Sequence, residues 1–151
     1  MKESKQNTET YTIQQIYKID YIAMDFLYDA GHKLNNIFSQ NYDFSKIDLQ
    51  EYADNNRIVI CRKGETVVGV MLSRLSRAIF DPTTILYVHD TLYTTRPKAT
   101  SLLLRDFIDF GKLHADHIIT MTTPHTNIKG RSLERLGFKE LETFYRMETK
   151  R

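Results

Sequence analysis

Residues 86–104, LYVHDTLYTTRPKATSLLL, constrain this chain more than any other stretch. Leu86 and Val88 open an alternating apolar run that reaches Leu92 and Tyr93, which predicts a strand. Thr94, Thr95, Arg96, Pro97 and Lys98 make a polar, basic turn. Ala99, Thr100 and Ser101 then open a helix whose apolar stripe holds Leu102, Leu103, Phe107, Ile108 and Phe110. A strand running through a small-residue turn into a helix leaves the first helical N–H groups unpartnered, at the positive end of the helix dipole. Such an end binds anions, and Arg96 and Lys98 add two full charges beside it. An ordinary strand-to-helix connection shares the pattern, so the stretch constrains topology before function.

The rest of the chain supplies a sheet for this unit. Residues 11–16 read as a strand with Tyr11, Ile13 and Ile16 inward. Asp20 caps a following helix, with Ile22, Ala23, Phe26, Leu27 and Ala30 at helical spacing and Gly31 as its stop. The Asn- and Ser-rich stretch after Gly31 reads as a loop holding a short helix at 45–54, where Ser45 and Asp48 resemble a capping box. Residues 57–62 and 66–73, joined by Lys63-Gly64-Glu65, make an antiparallel hairpin. Gly69 inside its second strand marks a bulge or a close approach by another backbone. After a loop at 74–84 come the focal strand and the helix 99–114. A buried strand at 117–122, a helix at 126–136 stopped by Gly137, and closing strands at 138–148 complete the order. The expected class is α/β or α+β: a mixed, mostly antiparallel sheet with helices on both faces and a parallel crossover through 99–114.

Composition narrows the partners. A chain of 151 residues with 41% apolar and 26% charged residues reads as one globular domain over 10–151, behind a polar tail at 1–9. The net charge of +2 comes without the concentrated basic stripe of a nucleic-acid binder. No apolar run approaches the ~20 residues of a membrane span, and a signal-peptide core is lacking. The single Cys61 excludes an internal disulfide, fits a reducing cytosol and reads as a small buried hydrophobe. No His/Cys cluster has zinc spacing.

Three features together resemble the GNAT superfamily of acyl-CoA N-acyltransferases over roughly 10–148. Arg96-Pro97-Lys98-Ala99-Thr100-Ser101 is similar to its R-x-x-G-x-G/A pyrophosphate loop. Val67-Val68-Gly69-Val70 resembles its "vvG" strand. The run from Ser132 through Leu136-Gly137-Phe138-Lys139 resembles its "lYeklGFk" element, and Phe144-Tyr145-Arg146-Met147 its closing strand. The 31–44 stretch and the shape of 80–93 look most like small phage-encoded members. The resemblance implies a cytoplasmic N-acetyltransferase (host cytoplasm if phage-encoded) that uses acetyl-CoA as co-substrate, an amine acceptor and no metal. It leaves a homodimer open.

The departures are chemical. Ala99 and Ser101 fill both glycine positions of the loop, and Pro97 removes one backbone donor. Lys98, Ala99, Thr100 and Ser101 remain as N–H donors. Leu133 stands where many members carry a tyrosine that protonates the leaving thiolate. Loss of that acid motivates a competing reading: a GNAT-fold protein with impaired catalysis that works by binding a partner protein. A third, modification of nucleic acid, is opposed by the near-neutral charge.

The resemblance assigns roles by position. Leu92 or Tyr93 carries the backbone N–H for the thioester oxyanion, with Tyr93 as a wall for pantetheine and Thr94 completing that edge. His89 and Asp90 are base candidates, and successive strand residues face opposite sides, so at most one faces the cleft. His125 or Tyr145 would replace the missing acid. Asn127 contacts CoA or, with Thr126, caps the last helix. His32 and Asn35, after the first helix, shape the acceptor site.

Overall fold

The computed structural model describes residues 10–38, 48–121 and 128–141, with Met147 and Thr149. It divides into two compact units, Met1–Met121 and Thr122–Arg151.

The first unit is built on one five-stranded sheet in the order β1-β2-β3-β4-β5. The strands are β1 (Tyr11–Ile16), β2 (Arg57–Lys63), β3 (Thr66–Arg77), β4 (Ile85–Thr94) and β5 (His117–Ile119). The first four pair antiparallel, and β5 joins β4 parallel through Leu86↔His117, Tyr87↔Ile118 and Val88↔Ile119. The mixed, mostly antiparallel sheet and the parallel crossover therefore follow the sequence reading. The crossover helix is α3, Pro97–His114.

Two helices precede the hairpin. Asp20 caps α1 (Tyr21–Phe38) by accepting from the Ala23 N–H at 2.8 Å. The expected stop at Gly31 is wrong: Gly31 is buried beside Ala30 and the helix runs seven residues further. Left-handed φ occurs among the described glycines at Gly64 and Gly137 instead. Ile22, expected inward, is exposed, while Ala23 and Ala30 are buried. The second helix, α2, spans Leu49–Asn55 rather than 45–54, and the Asp48 side chain caps it through the Glu51 N–H at 2.9 Å.

The core has two faces because the strands alternate. Toward α1 and α2 lie Ile58, Ile60, Val67 and Val70, with Ile16, Ala23 and Ala53, and Phe26, Tyr52 and Tyr93 pack at its margin. Residues of the other parity face α3, whose buried side includes Ala99, Leu103, Leu104, Phe107 and Ile108. Cys61 is buried, and that burial raises its thiol pKa, as suits a packing residue. Gly69 marks a close approach: a Cβ there would stand 2.8 Å from Leu103 Cδ1 and 3.3 Å from Ala99 Cβ. The approaching atoms are side chains of α3 and of Thr94 on β4, not the backbone expected, and the β2–β3 register shifts beside it, between Cys61 and Arg62.

In the second unit α4 covers Gly130–Arg135, with Lys129 rather than Thr126 or Asn127 as its N-cap. Gly137, at φ +96°, ends it as the sequence predicts, and Phe138 donates its N–H to the Leu133 carbonyl at 3.0 Å. Leu133 is buried, and Arg131, Glu134 and Arg135 are exposed. Residues 138–141 are not in a strand. Met147 is likewise outside any strand, and the other positions of the expected closing strands, 142–146 and 148, lie outside the described residues.

Candidate active site

The site grows from the way β4 loses its neighbour. Beyond Val88↔Ile119 no described residue continues the β5 ladder, so among the described residues one edge of β4 is unpaired from His89 to Thr94. Successive backbone amides of an antiparallel strand point to alternate edges. The Thr95 N–H donates to the Val68 carbonyl at 2.9 Å, so the amide in phase with it, that of Tyr93, faces β3. The N–H of Leu92 faces the open edge.

A bulge sits just before Leu92. The β3–β4 register passes from Ser73↔His89 to Leu72↔Thr91, so Asp90 is an extra residue with no partner. Bulges re-aim the side chains around them. Tyr87 and His89 sit on the α3 side, ringed by Phe107. Asp90 and Tyr93 look the other way, toward α2 and α1.

His89 and Asp90 thus occupy opposite faces, as strand alternation requires, and both are engaged. The imidazole is 4% exposed, and its Nδ1 lies 2.9 Å from Thr120 Oγ1. Burial pushes its pKa down to about 4, against a smaller opposing pull from Asp90. It is neutral at pH 7 and a weak base. Asp90 accepts from the Tyr52 hydroxyl at 2.7 Å and from Arg74 Nε at 3.0 Å, one bond to each carboxylate oxygen. Burial, then the Asp90 bond, pushes the Tyr52 phenol far above the usual tyrosine range, so Tyr52 acts as a donor.

The turn into α3 presents the charged groups. Arg96 is the N-cap and makes no side-chain cap bond, and Arg96, Pro97 and Lys98 are exposed. The Thr100 N–H already bonds the Arg96 carbonyl at 3.3 Å, which starts the helical ladder. The open backbone donors are therefore those of Lys98 and Ala99, fewer than the four expected, because the helical ladder takes the N–H groups of Thr100 and Ser101. The substituted glycine positions obstruct little. Ala99 is fully buried with its Cβ turned toward Gly69. Ser101 is exposed and bends its hydroxyl back to the Pro97 carbonyl at 3.4 Å. The hydroxyls of Thr94 and Thr100 bond each other and tie the end of β4 to the first turn of α3.

On the α1 side the Tyr93 ring lies 5.7 Å from Phe26, and Lys33 Nζ lies 5.6 Å from its centroid. Tyr93 and Asp29 beside it hold the Lys33 ammonium above the usual lysine range. His32 is exposed on α1, and Asn35 belongs to the same helix. The site therefore brings His89, Asp90, Leu92, Tyr93 and Thr94 onto one strand end, with Arg96 to Ser101 following. His125, Asn127 and Tyr145 lie outside the described residues. Among the described residues no group of His, Cys, Asp or Glu could hold a metal, and no helix is long and apolar enough to cross a membrane.

Solved structures with this architecture are informative. A transcriptional regulator from Bacillus halodurans C-125 superposes with a TM-score of 0.70 at 15% identity, covering 91% of this chain and all of that one. A probable acetyltransferase gives 0.60 at 13% identity over 92% and 97% of the two chains. An aminoglycoside N-acetyltransferase in complex with CoA gives 0.60 at 14% identity over 91% and 100%. The fold is that of the GNAT acetyltransferases. No protein-family model matches the sequence, and no curated protein matches it. On this GNAT fold, sequence reasoning missed Tyr52, Arg74 and Thr120. None lies in a motif; each is found because the bulge and the end of the β5 ladder bring it to His89 or Asp90.

Proposed function

We propose that this chain is an N-acetyltransferase that moves an acetyl group from acetyl-CoA to a primary amine. The observation that carries the reading is the open edge of β4, with the outward N–H of Leu92, running into the exposed, basic N-terminus of α3. Arg96, Lys98 and the free amides of Lys98 and Ala99 suit a pyrophosphate, because charged and backbone donors sit together at the exposed start of α3 and the Ala99 Cβ is turned inward to Gly69. Acetyl-CoA supplies the activated acetyl thioester. The Leu92 N–H is placed to stabilise negative charge growing on a carbonyl oxygen.

Proton handling follows from what is already occupied. His89 is too weak a base to take a proton from an ammonium, and both Asp90 oxygens are held. The acceptor amine therefore loses its proton through water, and His125 or Tyr145 is the acid that stands in for Leu133. His32 and Asn35 on α1 border the acceptor. In this reading 10–151 work as one domain.

Acetyl-CoA incubated with a panel of small amines and lysine peptides should release thiol only when a suitable amine is present. No release with any amine, together with no CoA binding, would reject the proposal. The buried Leu133 at the usual acid position favours one alternative, a GNAT-fold binding protein without turnover. Robust amine-dependent thiol release disposes of it.

A further inference from the structure

We infer that Tyr52 and Arg74 are positioning residues for the backbone amide of Leu92: they grip the carboxylate of Asp90, the extra residue of the β4 bulge, and so fix the segment that carries the outward N–H. The inference deepens the acetyltransferase reading and, for its effect on turnover, rests on it.

A bulged residue is the least constrained point of a strand, because it has no ladder partner. Asp90 is that residue. Its carboxylate is nevertheless held from two elements. Tyr52 on α2 donates to Oδ2 at 2.7 Å, and Arg74 on β3 donates through Nε to Oδ1 at 3.0 Å. The grip from α2 is rooted elsewhere in the fold. Gln50 donates to the Tyr17 carbonyl at 2.9 Å and accepts from the Ile19 N–H at 3.0 Å, which pins α2 to the segment between β1 and α1. Arg74 is held by its own ladder pairing with Val88. Two residues beyond Asp90, Leu92 turns its N–H to the open edge, where no strand among the described residues fixes it. The ladder with β3 gives that amide its direction, the bulge sets the phase in which the ladder resumes after His89, and the two donors hold the bulge. Both act through Asp90 and touch no reacting atom.

Tyr52→Phe tests this, because it removes one hydroxyl and keeps the ring in the core. Backbone amide NMR of the unliganded full chain should show the resonances of 89–93 shifted or broadened, with those of 97–114 in place. With acetyl-CoA and an amine, kcat should fall roughly 10- to 100-fold, as expected for a misplaced reacting geometry, while the Kd for CoA changes less than about twofold because the Arg96 turn is untouched. Arg74→Lys keeps the charge with a less directional donor and should give a smaller loss of kcat. Unmoved 89–93 amides in Tyr52→Phe, or moved amides with unchanged kcat, would overturn the inference. A wild-type protein that shows no turnover defeats the acetyltransferase reading instead, and the amide resonances still decide whether the grip holds the bulge.

Discussion

At its start β4 is laced on every side. Asp116 closes the pair with β5, accepting from the Ile85 N–H at 2.8 Å and donating its own N–H to the Ile85 carbonyl at 2.9 Å. Arg57 makes a two-pronged bond to Asp106, reaches Tyr87 and Gln15, and stacks on Phe110 with Cζ 4.2 Å from the ring centroid. Ser73 and the Tyr87 hydroxyl, both buried, share a 2.6 Å bond. At its end the same strand has, among the described residues, an unpaired edge, and it has a bulge and, just beyond, exposed charges at Arg96 and Lys98. The first end has its polar groups mutually satisfied and serves stability. The second leaves amides and cations available for a ligand. A helix docked across both, α3, is what allows one end to stay open: the closed end holds the helix in place.

The comparison can be broken by damaging each end separately. Asp106→Ala leaves the Arg57 guanidinium, only 13% exposed, without a carboxylate to balance its charge and should cost about 3 kcal/mol in urea unfolding. CoA affinity of the folded protein should not change. His89 contributes a pH-dependent effect of up to about 3 kcal/mol. Its folded pKa of about 4 lies below the ordinary 6.5, so the unfolded chain binds the proton first as pH falls. This contribution is full above pH 6.5, declines as pH drops toward 4 and is flat below. Unfolding followed from pH 8 to 4 should show that slope, and His89→Gln should flatten it.

Two glycines at the contact between α3 and the sheet, Gly111 on the helix and Gly69 on β3, sharpen the contrast. A Cβ at Gly111 would lie 2.6 Å from Ile118 Cγ1 and 3.0 Å from Tyr87 Cδ1, at the closed end. A Cβ at Gly69 would press on Leu103 and Ala99, at the open end. Each change to Ala should cost about 1–3 kcal/mol through overpacking. Only Gly69→Ala should also weaken CoA binding in titration, because it displaces the first turn of α3. Smallest is Ser101→Gly, which should cost about 0.5 kcal/mol of helix stability and leave CoA affinity undiminished, since Ser101 turns its hydroxyl back to its own helix.

The sheet and its crossover were legible because their signals are local: the apolar β-rich run at 57–62, alternation in 86–93, the turn at Gly64, the helical stripe after Arg96. Gly69 announced the bulge beside it for the same reason, as a residue with no side chain in an apolar strand, though what crowds it is side chains and not another backbone. Gly31 misled because a buried glycine on a helix face looks, in sequence, like a stop. The candidate site was legible in its charged turn and illegible in its bulge. One inserted residue in β4 is a register property of two strands, and neither carries it alone. Tyr52 and Arg74 could not be found without it. The donor count at the turn was also hidden, because whether Thr100 bonds Arg96 depends on where the helix begins.

The most direct test is calorimetric titration of the wild-type protein and of Arg96→Glu with CoA and acetyl-CoA. The account predicts micromolar binding by the wild type and a loss of roughly 100-fold or more in Arg96→Glu, since a carboxylate would then face the pyrophosphate beside the open amides. Equal binding by both proteins, or no binding by the wild type, would contradict the claim that the end of β4 and the start of α3 form a CoA site.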